Sequence, residues 1–143
     1  MLSNTCKTAI KAVIYLASNQ KASEKASIKQ ISEFIGASEH TVGKMLQTLV
    51  KQDIIKSSKG PLGGFYITPE QCIQPLKNIV EAIDGPQVFK ECGLGLSKCS
   101  STHPCPIHND YKESRDILEN LFSNKTITDL CISINLGEAY LFG

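Results

Sequence analysis

Residues 27–52 contain two short amphipathic helical patterns separated by a glycine, and this stretch constrains the fold more than any other. Ser27 precedes the first pattern and Gln30 follows three residues later, which is the signature of a capping box at a helix N-terminus. Gly36 is placed to end that helix, and Ser38 is placed to cap the next one. Two short helices joined by a glycine-containing turn predict a helix-turn-helix.

A β-hairpin is predicted directly after the second helix. Two β-prone runs, residues 53–59 and 65–68, flank the turn Gly60-Pro-Leu-Gly-Gly64, and such a pair is typical of a hairpin. A hairpin that follows a helix-turn-helix forms a wing. The polar residues 19–26, which precede the first of the two helices, predict a further loop.

The same patterns divide the chain into three predicted parts. One-sided apolar patterns predict helices over residues 4–18 and 74–84, which complete a winged helix-turn-helix domain at residues 1–84. Residues 85–105 lack periodicity and predict a long loop, and loops of this length are usually functional or disordered. Residues 106–143 predict a long helix with a proline at its first position, followed by a C-terminal tail. The expected fold is mainly α with a small β-hairpin.

The predicted long helix, which ends near Asn124, carries a seam of residues spaced alternately four and three apart. These are Ile107, Tyr111, Ser114, Leu118 and Leu121. Such a seam is typical of a helix that packs against another helix. The other helix is either the same helix of a second subunit or residues 4–18 of the same chain. We favour a homodimer because symmetric dimers are the commonest oligomers. Thr126 can cap a last short helix after this one.

Composition and charge exclude several classes of protein. No stretch approaches the ~20 apolar residues of a membrane span, and no secretory signal is recognised. We therefore expect a cytoplasmic protein without a membrane partner, whose six cysteines stay reduced. The net charge of +1 hides an asymmetry, since residues 1–65 hold nine lysines and four acidic residues, whereas residues 66–143 hold six basic and ten acidic residues. The basic first part indicates contact with a polyanion.

The second helix of the helix-turn-helix and the wing supply the predicted DNA contacts. Recognition helices read base edges with their N-terminal residues, which here are polar: Ser38, Glu39, His40 and Thr41, followed along the same face by Lys44 and Gln47. Lys44 and Lys51 suit phosphate groups, while His40 suits either a base or an exposed position beside the cap. On the wing, Lys59, Gly60 and Pro61 are placed to enter a minor groove. Glycines 63 and 64 would leave that hairpin free of side chains that clash with DNA.

Three cysteines and a histidine, Cys92, Cys99, Cys105 and His108, form a candidate metal centre around the predicted loop. Thiolates bind zinc, copper(I) and iron–sulfur clusters. The intervals of six, five and two residues differ from the paired knuckles of structural zinc sites and suit a loop around a larger object such as a cluster. Cys105, at the predicted helix start, would be favoured as a thiolate by the helix dipole. His103 is a competing fourth ligand.

Other interpretations of the cysteines remain open at this point. The four residues also suit a structural zinc site, a thiol redox switch without metal, or three unligated thiols. An enzyme is not expected, because no oxyanion site or substrate-pocket motif accompanies the Cys–His pair. Cys6, Cys72 and Cys131 are predicted to be small buried hydrophobic residues.

Taken together, these residues resemble the Rrf family of winged-helix regulators, which includes iron–sulfur regulators and nitric-oxide sensors. The resemblance rests on the helix-turn-helix, the wing Lys59-Gly-Pro-Leu-Gly-Gly-Phe65, the helix end Val80-Glu-Ala-Ile-Asp84 and the Cys/Cys/Cys/His loop. It implies a homodimer whose long C-terminal helices cross, with an iron–sulfur cluster on each subunit. The Cys₃ loop followed by a histidine looks most like the branch with a 2Fe-2S cluster, in which Cys92, Cys99, Cys105 and His108 become the ligands.

This sequence departs from the family pattern at three positions. Lys7 stands where one branch places a carboxylate ligand, and Gly43 stands where the iron–sulfur branch has an acidic base-reading residue. A glycine inside a helix also permits close approach to DNA or to another helix. Lys59 replaces the usual wing arginine. The resulting expectation is a transcription regulator, bound to a double-stranded DNA operator without a small-molecule substrate, whose operator affinity depends on the cluster.

Overall fold

The computed structural model describes residues 1–19 and 25–143, so most of the predicted loop 19–26 lies outside the described residues. In chain order the elements are α1 Asn4–Ser18, α2 Ile28–Ile35, α3 Glu39–Lys51, β1 Lys56–Ser58, β2 Gly64–Tyr66, α4 Pro69–Cys72, α5 Leu76–Asp84, a 3-10 helix Pro86–Phe89, α6 His108–Asn124 and α7 Ile127–Asn135. The prediction of a mainly α-helical fold with a small hairpin is confirmed.

The helix-turn-helix has the caps that its sequence predicts. The backbone N–H of Gln30 donates to Ser27 Oγ at 3.2 Å, and the Ser27 N–H donates to Gln30 Oε1 at 2.9 Å, which completes the capping box of α2. Gly36 ends α2 with a φ of 74°, a conformation that costs glycine little. Ser38 caps α3 through the N–H of Thr41 at 3.3 Å. Local sequence therefore fixes both ends of the turn between the two helices.

The wing is an antiparallel pair of strands closed by a tight turn. Its register pairs Lys56 with Tyr66 and Ser58 with Gly64. A Cβ at Gly63 would overlap the Ser58 carbonyl oxygen, and a Cβ at Gly64 would lie 2.7 Å from the Ala26 carbonyl oxygen. Both glycines are thus needed for the close packing of the protein's own backbone, whatever clearance they also give to DNA.

The main hydrophobic core lies around α1. Ala9 and Val13 on α1 are fully buried with Leu46 and Leu49 of α3, and Ile79 of α5 closes the same core. The last helix, α7, packs against α1 and adds the buried side chains Ile127 and Cys131. The tail expected after the long helix therefore packs into the core of the winged-helix part.

A second, smaller core lies beneath α6. Phe89 of the 3-10 helix is buried and packs against Phe122 of α6, with ring centroids 5.9 Å apart. The predicted loop 85–105 therefore starts with an ordered, anchored turn. The short helix α4 was also missing from the sequence prediction, although Thr68 and Gln71 form a capping box there.

The long helix begins later than the sequence predicts. Pro106 lies in a turn closed by the hydrogen bond from the His108 N–H to the Cys105 carbonyl at 3.0 Å. Ile107, with φ −111° and ψ 14°, is outside the helical region, so α6 starts at His108. Its end at Asn124 agrees with the prediction, and the predicted cap at Thr126 is present on α7.

The seam of α6 is largely uncovered within the chain. The helix packs mainly against α5 and the 3-10 helix, and it is tied to α5 by an ion pair between Lys77 and Glu119 at 2.6 Å. Leu118 and Leu121 of the seam remain 36% and 49% exposed, and Ile117, which flanks the seam, is 61% exposed. In the part of the chain that the structure describes, no helix combines the length and the apolar character needed to cross a membrane.

Candidate nucleic-acid interface and metal centre

The exposed face of α3 carries the predicted DNA-reading residues. The opposite face buries four apolar side chains, Val42, Met45, Leu46 and Leu49. All six predicted residues are exposed, namely Ser38, Glu39, His40, Thr41, Lys44 and Gln47. Because the buried face fixes the rotation of the helix, this polar face is presented to solvent as one continuous surface.

Gly43 lies on the inner side of α3. It is buried, and a Cβ placed there would be 3.5 Å from Cδ1 of Ile28 on α2. This is an ordinary van der Waals distance, so the packing of α2 does not require a glycine at position 43. A side chain at this position would face α2, so position 43 does not belong to the polar surface of α3.

The wing and α3 border one groove. This groove has a volume of about 370 Å³, and Gln47, Lys51 and Lys59 are among the residues that line it. Lys59, Gly60 and Pro61 are all exposed at the turn of the wing. The recognition helix and the wing thus present their cations to the same open space, which is the arrangement needed to contact one polyanion.

The wing tip also carries an apolar residue that the sequence interpretation passed over. Leu62 follows Pro61 and is 90% exposed.

One lysine of the wing is paired within the chain. The ammonium of Lys56 lies 2.9 Å from a carboxylate oxygen of Asp53. This hydrogen bond and its charge hold the pKa of the Asp53 carboxyl below its usual value. Part of the charge of Lys56 is therefore already compensated within the chain.

The structure brings the four predicted metal ligands into one region of the chain. Cys99 Sγ lies 3.4 Å from His108 Nδ1, and Cys92 lies close enough to Cys105 for each thiol to affect the pKa of the other. Cys92, Cys105 and His108 are buried, and Cys99 is partly exposed. His103, the competing histidine, is exposed. The geometry therefore favours His108 over His103 as the fourth donor.

The loop stabilises a negative charge on one of the sulfur atoms. Backbone N–H groups of Leu94 and Leu96 are the main reason that the pKa of Cys92 is lowered. Burial is the main reason that the pKa of Cys105 is raised, and its neighbours Cys92 and Cys99 add to this. The expectation that the helix dipole favours a thiolate at Cys105 is therefore wrong for the chain without a metal. A loop that points N–H groups at a sulfur suits a thiolate that serves as a metal ligand.

The donor set suits a soft metal centre. Across residues 1–19 and 25–143, no group of three or more His, Cys, Asp or Glu side chains is arranged to hold one metal ion. A structural zinc site needs four donors around one centre. Three thiols and one imidazole match the donor types of a zinc ion and of an iron–sulfur cluster alike.

The position of Cys105 corrects one detail of the sequence prediction. Because α6 starts at His108, Cys105 precedes the helix instead of lying in its first turn. Cys105 remains attached to the helix start, since its carbonyl oxygen accepts the N–H of His108. Two of the four candidate ligands are therefore fixed to the N-terminal end of α6.

The other three cysteines are buried, as predicted. Cys6, Cys72 and Cys131 are 0%, 7% and 8% exposed. Burial, followed by the nearby carboxylate of Asp84, raises the pKa of Cys6 to about 12. These thiols lie in the packed core or at its edge, and they take no part in the loop centre.

A comparison with protein families decides between the regulator and other classes. The sequence matches the Rrf2 family model, described as "Iron-dependent Transcriptional regulator", over residues 2–133. The chain belongs to the Rrf2 family. This confirms the resemblance inferred from the wing and the cysteine loop. Members of the Rrf2 family are transcription regulators and not enzymes, so the expectation that the chain is not an enzyme agrees with the family.

Similar proteins support the Rrf2 assignment along almost the full length of the chain. A protein of Aquifex aeolicus (strain VF5), described as an HTH-type transcriptional regulator, is 29% identical over 144 residues, which cover 99% of this chain and 96% of the relative. The structure of CymR, the global cysteine regulator of B. subtilis, matches with a TM-score of 0.75 at 19% identity, covering 92% of this chain and 96% of CymR. T. potens IscR matches with a TM-score of 0.72 at 18% identity, covering 98% and 92%. At these identities, the two structures show a shared fold.

The sequence interpretation missed one residue near the candidate metal centre. Arg115 of α6 is buried, and its guanidinium donates from Nη1 to the carbonyl oxygen of Glu91 at 2.7 Å. A signal was present, since Arg115 is the one arginine in a chain whose other basic residues are lysines. Helical periodicity places it beside the seam but does not reveal which backbone it contacts.

Proposed function

We propose that this Rrf2 protein is a homodimeric DNA-binding regulator whose operator affinity is set by an iron–sulfur cluster, of the 2Fe-2S type, held by Cys92, Cys99, Cys105 and His108. The observation that carries this proposal is the contact of Cys99 Sγ with His108 Nδ1 at 3.4 Å, beside the buried thiols of Cys92 and Cys105. When bound, such a cluster would supply redox chemistry and sensitivity to iron supply or nitric oxide.

The arrangement of the loop supports a link between metal binding and DNA binding. Cys92 lies after the 3-10 helix, whereas Cys105 and His108 lie at the start of α6. Donors that are held together fix the start of α6 relative to the winged-helix part. In a homodimer joined by α6, a change at this point alters the placement of the two recognition helices.

The exposed seam supports the homodimer. Ile117, Leu118 and Leu121 leave an apolar stripe on α6, and two such helices packed together would cover it. The polar face of α3 and the wing support binding to a double-stranded DNA operator, with Lys44 and Lys59 as phosphate partners. The proposal includes the cytoplasmic location expected from the sequence, since reduced thiols are needed to hold the cluster.

Anaerobic purification tests the cofactor. We expect a coloured protein that contains iron and acid-labile sulfide in equal amounts. Substitution of His108 by alanine should weaken cluster retention, and substitution of the exposed His103 by alanine is the matched control. Loss of the cluster in Cys99→Ser but not in Cys131→Ser would agree with the proposed ligand set.

Two results would replace this proposal by another. A colourless protein with one zinc ion per chain would identify a structural zinc site. A metal-free protein that forms a disulfide between two loop cysteines after treatment with peroxide, seen by mass spectrometry, would identify a thiol redox switch.

A further inference from the structure

The segment that contains Cys92 is bound by the arginine of α6 at the residue that precedes the cysteine. Arg115 is 9% exposed, and its Nη1 donates to the carbonyl oxygen of Glu91, the residue before Cys92, at 2.7 Å. Among the described residues, Arg115 takes part in no ion pair, and its Nε is buried without a hydrogen-bond partner. A buried cation of this kind is costly unless negative charge lies nearby, and the Asp116 carboxylate supplies such a charge, since Lys112 and, after it, Arg115 contribute to lowering its pKa.

The same segment also contacts an aromatic ring of α6, at the residue that follows Cys92. Gly93, the residue after Cys92, packs so closely on Tyr111 that an added Cβ would lie 2.7 Å from ring atoms Cγ and Cδ2. His108, Tyr111 and Arg115 are spaced three and four residues apart, so they share one face of α6. One helix face therefore carries a candidate ligand and both contacts that flank Cys92.

We propose that Tyr111 and Arg115 are positioning residues that clamp the Cys92 segment onto α6. This inference rests on the proposed metal centre, because the clamp would keep Cys92 close to the two candidate donors at the start of α6, Cys105 and His108. The clamp makes one rigid unit of Cys92 and α6. Binding of a metal at the centre then changes the position of the helix that joins the subunits.

A measurement on cluster-free protein tests the clamp independently of the cofactor. Under reducing conditions, each cysteine is alkylated with iodoacetamide, and the rate for each residue is followed by mass spectrometry. Cys92 is 8% exposed, and we expect its alkylation to become several-fold faster in Arg115→Met, which keeps most of the side-chain volume but removes the donor. Gly93→Ala, which pushes the segment away from Tyr111, should have the same effect.

Two references make the alkylation result specific. Cys131, also 8% exposed, should keep its rate, which excludes general loosening of the fold. Lys112→Met removes an exposed cation from the same helix, where it pairs with Asp116, and should leave Cys92 unchanged. If Arg115→Met and Gly93→Ala both alkylate Cys92 at the wild-type rate, the clamp is wrong. The same conclusion follows if Cys131 accelerates equally.

The loaded protein provides the second readout. We expect Arg115→Met to lose iron to a chelator several-fold faster than wild type at an unchanged thermal midpoint of the cluster-free form. Arg115→Lys should recover part of the retention, since it restores a cation and a donor. Equal rates of iron loss in wild type and Arg115→Met would overturn the clamp while leaving the metal centre in place. A wild-type protein without a cluster would overturn the proposed function, and the clamp would then be decided by alkylation.

Discussion

Substitution of Lys59 by alanine should weaken the attraction of the wing to any DNA duplex, whatever its sequence. Lys59 is exposed at the wing turn and lines the groove shared with α3. Among the described residues its ammonium forms no ion pair, whereas that of the neighbouring Lys56 is paired with Asp53. Lys59 therefore has its full charge available for a phosphate group.

The size of the effect follows from counterion release. Each phosphate contact contributes about 0.9 to the slope of log K against log salt concentration. A homodimer with one Lys59 contact per subunit would lose about 1.8 of this slope. At ~0.15 M salt the same relation gives about fivefold weaker binding per contact, or roughly 30-fold for the dimer.

Fluorescence anisotropy with a labelled duplex of arbitrary sequence, measured over a range of salt concentrations, gives this slope without knowledge of the operator. Lys90→Ala is the matched control, because it removes an exposed lysine of the acidic part of the chain. The reasoning fails if the slope is the same in Lys59→Ala and wild type. It also fails if Lys90→Ala lowers the slope by as much.

Three further predictions concern the fold and its titrating groups. Leu46 is fully buried, so Leu46→Ala should lower the free energy of unfolding, measured in urea titrations, by about 2–5 kcal/mol. Leu62→Ala at the exposed wing tip should change it by less than about 0.5 kcal/mol. Similar losses in the two variants would contradict the assigned core. Cys6, whose pKa burial raises to about 12, should resist iodoacetamide in the folded, cluster-free protein at mildly alkaline pH while the partly exposed Cys99 reacts, and equal labelling in mass spectra would refute this. The N–H and hydroxyl of Thr126 lower the pKa of Asp129. The Asp129 carboxylate therefore stabilises the folded state above the ordinary carboxyl pKa, and this contribution is lost as pH falls through the lowered pKa. The free energy of unfolding of Asp129→Asn should accordingly depend less steeply on acidic pH than that of wild type.

The helix-turn-helix and the wing were predictable because their signals are local. The capping box at Ser27 and Gln30, the turn at Gly36 and the cap at Ser38 each act within one helical turn. The pairing of β1 with β2 follows from the glycines and proline between them. Such features leave a pattern of residue types at fixed spacing, so their positions are readable without knowledge of the rest of the fold.

The features that were missed depend on contacts between distant segments or on very short elements. A 3-10 helix of four residues shows no periodicity, and its anchor, Phe89, is recognisable only when Phe122 lies against it. The start of α6 shifted because a proline that suits a first helical position also suits the turn that ends at His108. In the candidate metal centre, the candidate donors could be identified from the sequence. The contact of Cys99 with His108 and the contacts of Arg115 could be recognised only in the folded chain.

The central claim is that the metal centre and the DNA interface are coupled. The most direct test is the affinity of cluster-loaded and cluster-free protein for one operator fragment, selected from random duplexes and measured at a single salt concentration. A coupling of the usual size, about 1–3 kcal/mol, predicts that the two dissociation constants differ by roughly 5- to 150-fold. Equal dissociation constants for the two forms would contradict the account.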